Sequence, residues 1–512
     1  MISIERKQRK IILITICLSL MAVIASVSGL NVAQSKLAVD FNTSQNTVLW
    51  MINIYTLALA ALLLPLGALG DRKGRKPALL AGLTIFIVAS VISGLAVSVE
   101  MMILARFLSG VGAALIMPVT LAVITSGFPV EERSNAIGIW TGVAGGGGIL
   151  GMYLSALLVD FASWRLLFLL PVVLGVVSII LTSFYLPNSK EKYNHRYDIT
   201  GALLSVISIF SFIYALHEVP SKGWSEPLLL IMLFVGFTSL VGFVFWEMRH
   251  PLPLLDIRLF RKQSLSSGSI TLLTLFGVQA GIFIVLFPYF QGVLGWSGLR
   301  ATLAMMPMAL LMMTASGIAP RISLKIGTRF TMAVGIALGS FGAGLMAALV
   351  SVEGGYLSIL PGLLVIGFGM GLTMTPSTEA ITSSLPLERQ GVASALNDIT
   401  RELGTAIGVA LLGSVVTAGY SAAIEPQLYV FPVDIANSAS EGLYTALTVA
   451  ANAGPKSQTL IEAARSAFVY GWQQSMWIGS VIMAFLFFYV MVRGPKKGDM
   501  KTEHDTLHIK IK

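Results

Sequence analysis

Three ionisable residues stand inside one of the apolar stretches of the chain: Asp398, Arg401 and Glu402, in ALNDITRELG from Ala395 to Gly404. Spacings of three and four put them on one face of a helix, where an acid and the base can pair and one carboxylate is left over. A charge near a bilayer centre costs roughly 2.5 to 3.5 kcal/mol on insertion scales, so three unpaired charges would cost about 8 to 10. Such groups are expected to be compensated and to have a task. The leftover acid is Glu402, about 16 Å into its apolar run at 1.5 Å per residue. A carboxyl that far from bulk water can take up and release a proton as access to water alternates between two faces, which is the chemistry of proton coupling. The competing reading is a satisfied network that fixes helix packing.

Other polar groups recur in apolar surroundings. Arg106, in ARFLSGVGAALIMP, is a second buried charge that needs a carbonyl or acid partner. Glu379, in TPSTEAITS, lies close enough to the end of its run to reach water, or else to serve as a proton exit or a substrate contact. Ser26, Asn31, Asn53 and Tyr55 are candidates for the wall of a substrate cavity, and so are Phe276, Gln279 and Phe283, which share one helical face. Methionines at 305, 306, 308, 312 and 313 could form a soft, adaptable wall or face lipid.

These groups must be positioned by membrane-spanning helices. Of 512 residues, 55% are hydrophobic and 12% charged, against about 25% charged in a soluble domain. Runs of about 20 apolar residues, enough to cross a 30 Å hydrocarbon core, cover 11–33, 48–69, 77–98, 101–127, 136–158 and 166–186, then 199–217 and 227–247, then 263–290, 301–320, 331–351, 356–384, 391–418 and 469–492. That is a pattern of six, two and six. The first run is longer than a signal-peptide core and is read as an uncleaved helix. Of the 34 Lys and Arg residues, 26 fall on one set of alternating connections and 6 on the other, which puts both termini in the cytoplasm by the positive-inside rule.

The net charge of +9 is then a basic cytoplasmic face beside anionic lipid, with no nucleic acid required. The single cysteine, Cys17, excludes an intrachain disulfide, and the five scattered histidines give no metal site. There is no phosphate-cradling G-x-x-x-x-G-K-[ST] loop, so a gradient rather than ATP is the expected energy source. No cofactor and no enzymatic activity are expected.

After the second run comes GALGDRKGRKP, Gly67 to Pro77. With the fourth-run motif at Arg106, this stretch resembles the signature loop of the major facilitator superfamily. The resemblance implies an all-α integral membrane protein with two six-helix bundles related by a repeat. It also implies a conformational latch made by Asp71, Arg72 and Arg75, with Gly67 and Gly74 permitting a tight turn. A degenerate copy, APRISLKIGTRF, keeps Gly327 but has Leu324 where the first loop has Asp71. Fourteen runs, together with LLDIRLF at 254–260 and GVASALNDITRELGTAIGVALLGSV in the thirteenth, resemble the drug:proton antiporter branch that includes quaternary-ammonium and methyl-viologen efflux pumps.

The expected organisation is a bundle at 1–190, two additional lipid-facing helices with their linkers at 191–262, and a second bundle at 263–512 carrying an extracellular helical cap at about 419–468. The chain departs from the branch at Ser26 and Asn53, where acids are usual, and at Met152, where the Gly-rich fifth-run motif usually ends in proline. The expected function is proton-coupled export of amphipathic organic compounds by a multi-pass, monomeric plasma-membrane protein, whose partners are the small-molecule substrate, protons and lipid. The alternatives are a facilitator or importer of a specific neutral metabolite and, further off, a non-transporting sensor.

Overall fold

The structure, a computed structural model, describes residues 5–161, 163–188 and 197–495. Six helices cross first: α1 (Arg6–Val32), then, after the short α2 (Gln34–Asp40), α3 (Gln45–Lys73), α4 (Arg75–Gly94), α5 (Val99–Gly127), α6 (Val130–Phe161) and α7 (Leu169–Tyr185). The pair α8 (Ile199–Lys222) and α9 (Pro227–Arg249) follows. The second set is α10 (Gln263–Pro288), α11 (Gly298–Ile326), α12 (Thr328–Leu349), α13 (Gly355–Thr382), α14 (Gln390–Leu428), the short α15 (Val433–Ser440) and α16 (Leu443–Val449), and α17 (Ser457–Arg493). Among the described residues fourteen helices are long and apolar enough to cross a membrane, each coinciding with one of the fourteen runs. The protein is a multi-pass membrane protein.

Local chemistry sets several of the boundaries. Ser44, Ser98 and Ser297 each accept a hydrogen bond from the backbone N–H three residues on, capping α3, α5 and α11. Gly74 alone separates α3 from α4, at φ 102° and ψ 142°, and Gly327 alone separates α11 from α12, at φ 91° and ψ 151°. Side chains are strained in that region of the map, so the glycine is what allows a helix to end and restart within one residue. The degenerate second loop has lost its acid but kept this turn.

Two expectations are corrected. The inserted pair is not simply lipid-facing: α8 packs against α3 and α14, whereas α9 packs mainly on α8 and presents Phe234, Phe237 and Phe245 outward. Trp50 and Tyr214 meet with ring centroids 5.3 Å apart, and the Tyr197 hydroxyl donates to the Pro65 carbonyl at 2.8 Å, tying α8 and its lead-in to α3. The expected cap over 419–468 is also shorter, because α14 continues to Leu428 and α17 already begins at Ser457. Only α15, α16 and a 3-10 turn (Ala450–Lys456) lie between, held by the Tyr420 hydroxyl on the Ala439 carbonyl at 2.8 Å and by Lys456 on the Val430 carbonyl at 2.8 Å.

Candidate functional site: the seam between the two bundles

The seam runs along two antiparallel helix pairs, α3 with α14 and α6 with α11. Small residues set its spacing: a Cβ on Gly67 would stand 2.7 Å from the Gly391 carbonyl oxygen, and one on Gly138 would stand 2.7 Å from that of Ser316. In the middle of α6 the run Gly145–Gly147 forms a hollow that receives Met312, Met313 and Met21. Met305, Met308 and Met312 are fully buried. Their wall faces the protein, and the glycine-rich stretch lies within one unbroken helix.

At one end of the seam Asp71 crosses from the first bundle to the second. Its carboxylate accepts from Gly391 N–H at 2.8 Å and from Val392 N–H at 3.2 Å. These N–H groups open α14, where the N-cap residue Arg389 supplies no side-chain cap of its own. A carboxylate there satisfies orphan donors and meets the positive end of the helix dipole. Arg75 completes the clasp, 3.5 Å from Asp71 and donating to Ser126 at 2.5 Å and to the Leu387 carbonyl at 3.1 Å. Arg72, grouped with these two in the sequence, takes no part in these cross-bundle bonds and instead lines a small cleft with Tyr197, Asp198 and Pro253.

A second set of cross-bundle bonds lies on the α6 side. Ser134 donates to the Glu379 carboxylate, and the Thr141 and Thr375 hydroxyls are 2.6 Å apart. Glu379 thus sits in a bundle-to-bundle contact, a placement that its position near the end of α13 did not disclose. Neither Ser134 nor Thr141 was singled out in the sequence, because isolated hydroxyls in apolar helices carry no spacing signal.

Within the first third of α14 lies the charged trio. Asp398 and Arg401 approach to 3.6 Å, and the Asn397 amide donates to Asp398 at 3.0 Å. The Arg401 guanidinium is held between aromatic faces, 4.5 Å from the Phe276 centroid and 5.8 Å from that of Trp140. Trp140 is a site residue missed in the sequence, where a lone tryptophan in an apolar run reads as packing. Glu402, twelve residues and about 18 Å into α14, is half-buried and has no hydrogen bond or ion pair to a described residue.

On α5, which packs against α14, Arg106 is fully buried, donating to Ser26 Oγ at 2.8 Å and lying 4.4 Å over the Tyr55 ring. Tyr55 bonds the Val23 carbonyl at 3.3 Å and lies within the electrostatic reach of both Arg106 and Glu402. Three of the expected cavity residues, Ser26, Tyr55 and Phe276, are therefore joined to the charged centre. Asn53 and Gln279 are half-buried, Phe283 packs on the core of the second bundle, and the side chain of Asn31 lies outside the described residues.

Two helical bundles clasped at one end and carrying ionisable groups at the middle of their seam define a secondary transporter. The family model of the Major Facilitator Superfamily matches residues 16–409. The chain is 31% identical over 399 residues to the multidrug resistance protein Stp of Mycobacterium tuberculosis, covering 78% of this chain and 74% of that one. It is 30% identical over 475 residues to the methyl viologen resistance protein SmvA of Salmonella typhimurium, covering 91% and 94%. The fold is similar to that of the human organic anion transporter MFSD10, with a TM-score of 0.62 at 14% identity over 95% of this chain and 100% of that one. The chain belongs to the Major Facilitator Superfamily.

Proposed function

We propose that this transporter exports amphipathic organic compounds across the cell membrane in exchange for protons, alternating access about the seam. The observation that carries the reading is Glu402: a carboxyl about 18 Å into a membrane helix, at the seam, without a partner among the described residues that would hold it permanently ionised. The paired Asp398 and Arg401 neutralise one another beside it and leave it free to exchange a proton with whichever face is open. Efflux is favoured over import by the likeness to Stp and SmvA, whose names record drug and methyl viologen resistance.

The cap that Asp71 supplies to α14 supports one closed state of the cycle, and the Glu379 contact supports the same state on the other side of the seam. Opening that end breaks both. In this reading the cytoplasmic end is the one clasped, because the basic connections lie there. The test is proton release by purified protein in weakly buffered detergent when an amphipathic dye is added. Stoichiometric release supports exchange, and silence across a panel of dyes that bind the protein contradicts it.

A further inference from the structure

Arg106 is a buried cation without a carboxylate. Its side chain is fully buried, its one hydrogen bond goes to the neutral Ser26, and Nε and Nη2 have no protein partner. The cation–π contact with Tyr55 and the hydrogen bond to Ser26 offset part of the desolvation, but neither brings a counter-charge to the buried ion. The site still stands to gain from an anion.

The two free nitrogens are not arbitrary. Nε–H and Nη2–H lie along one edge of the guanidinium and form the fork that matches the two oxygens of a carboxylate. The chain uses that edge elsewhere: Arg9 donates to Glu132 through Nε and Nη2, each at 2.9 Å. At Arg106 the same edge is buried without a partner, and no acid among the described residues fills it. Asp398 is engaged with Arg401 and Asn397, while Glu402 stands on the far bundle, with Tyr55 sensing both Arg106 and Glu402. The charged groups acting on Glu402 are Arg401 and Asp398 of its own helix, and the first-bundle group within its electrostatic reach is the neutral phenol of Tyr55 on α3, which packs against α14.

We infer that Arg106 and Glu402 are the two poles of a site for zwitterionic amphipaths, the carboxylate seated on the Arg106 fork and the cationic end displacing the proton of Glu402. The inference rests on the exchange reading of Glu402. A purely anionic substrate would be repelled by ionised Glu402 and would bind best with the proton still on, the opposite of exchange. A cation would displace the proton but leave Arg106 unpaired, and a zwitterion satisfies both poles.

The test uses rhodamine B, a zwitterion, and its ethyl ester, a cation of the same scaffold, with binding to purified protein read by fluorescence anisotropy against empty micelles. Wild type is expected to bind the acid at least tenfold more tightly than the ester and to release a proton on binding. Arg106→Gln should abolish the preference. Should that variant fail to fold, Ser26→Asp places a carboxylate beside Nη1, where Ser26 now bonds, and should abolish the preference by neutralising the guanidinium from within. Equal binding of acid and ester by wild type, with proton release, overturns the Arg106 pole alone, as does a preference that survives Ser26→Asp. A tenfold preference without proton release overturns the Glu402 pole and the exchange reading with it, and binding of neither dye overturns both.

Discussion

Asp71 does the work of a helix cap from another bundle. A capping acid contributes about 1 kcal/mol, and up to about 2 where the dipole is partly buried. Asp71→Asn keeps the shape and removes the charge, so the clasped state should lose about 1 to 2 kcal/mol, a factor of about 5 to 30 in population. With Cys17 replaced, a cysteine at the fully buried Ser394 should react with maleimide faster by that factor. An unchanged rate would make Asp71 a passive cap. A second acid, Asp40, lies outside the membrane and accepts from Trp164 at 2.6 Å and Arg165 at 3.0 Å, which hold its carboxyl below the usual carboxylate range. The stability from a depressed acid is present above its unfolded pKa of about 3.9 and lost as pH falls through the lower folded value. The difference in melting temperature between wild type and Asp40→Asn should therefore be small and salt-sensitive at pH 7, since the pair is exposed, and should shrink as pH falls through the lowered folded value. At this scale the sequence reveals charges, because a charge in an apolar run is conspicuous. Partners such as Trp140, Ser134 and the Gly391 N–H could not be read from it, because they are ordinary until the helices pack.

Among the elements, the two single-glycine turns make the sharpest prediction. Gly74 and Gly327 have nearly the same backbone geometry, so Ala at either should cost about 1 to 2 kcal/mol through strain of the backbone alone. Gly74→Ala should also impair transport because it shifts Asp71 and Arg75, whereas Gly327→Ala should only lower the melting temperature, since Leu324, where the acid would be, is 82% exposed. Equal loss of transport in both would mean that the second loop retains a latch. Helix positions were legible from hydropathy, but the outer ends of α14 and α17 were not. Their last turns carry Glu425, Gln427, Gln458 and Glu462, and an apolar run records where the bilayer stops rather than where the helix does. The place of α8 was likewise hidden, because a helix against α3 and one against lipid are equally apolar.

For the whole molecule, the imbalance of basic residues fixes the expected orientation. In a background lacking Cys17, a cysteine at the exposed Glu441 should be labelled by an impermeant maleimide on intact cells, and one at the exposed Arg261 only on inside-out vesicles. The reverse order would invert the protein and move the clasp to the outer face. The six-two-six division was open to reading because each crossing needs its own apolar run, whereas the seam was not, since it joins segments about 320 residues apart through backbone N–H groups that every residue possesses. The central claim is that Glu402 carries the exchanged proton, and the direct measurement is dye uptake into inside-out vesicles driven by an imposed pH gradient, wild type against Glu402→Gln. Glu402→Gln preserves shape and removes the titratable group, so gradient-driven uptake should fall at least tenfold while dye binding persists and loses its dependence on pH. Uptake at the wild-type rate in Glu402→Gln would contradict the account and leave the trio as a packing network within α14.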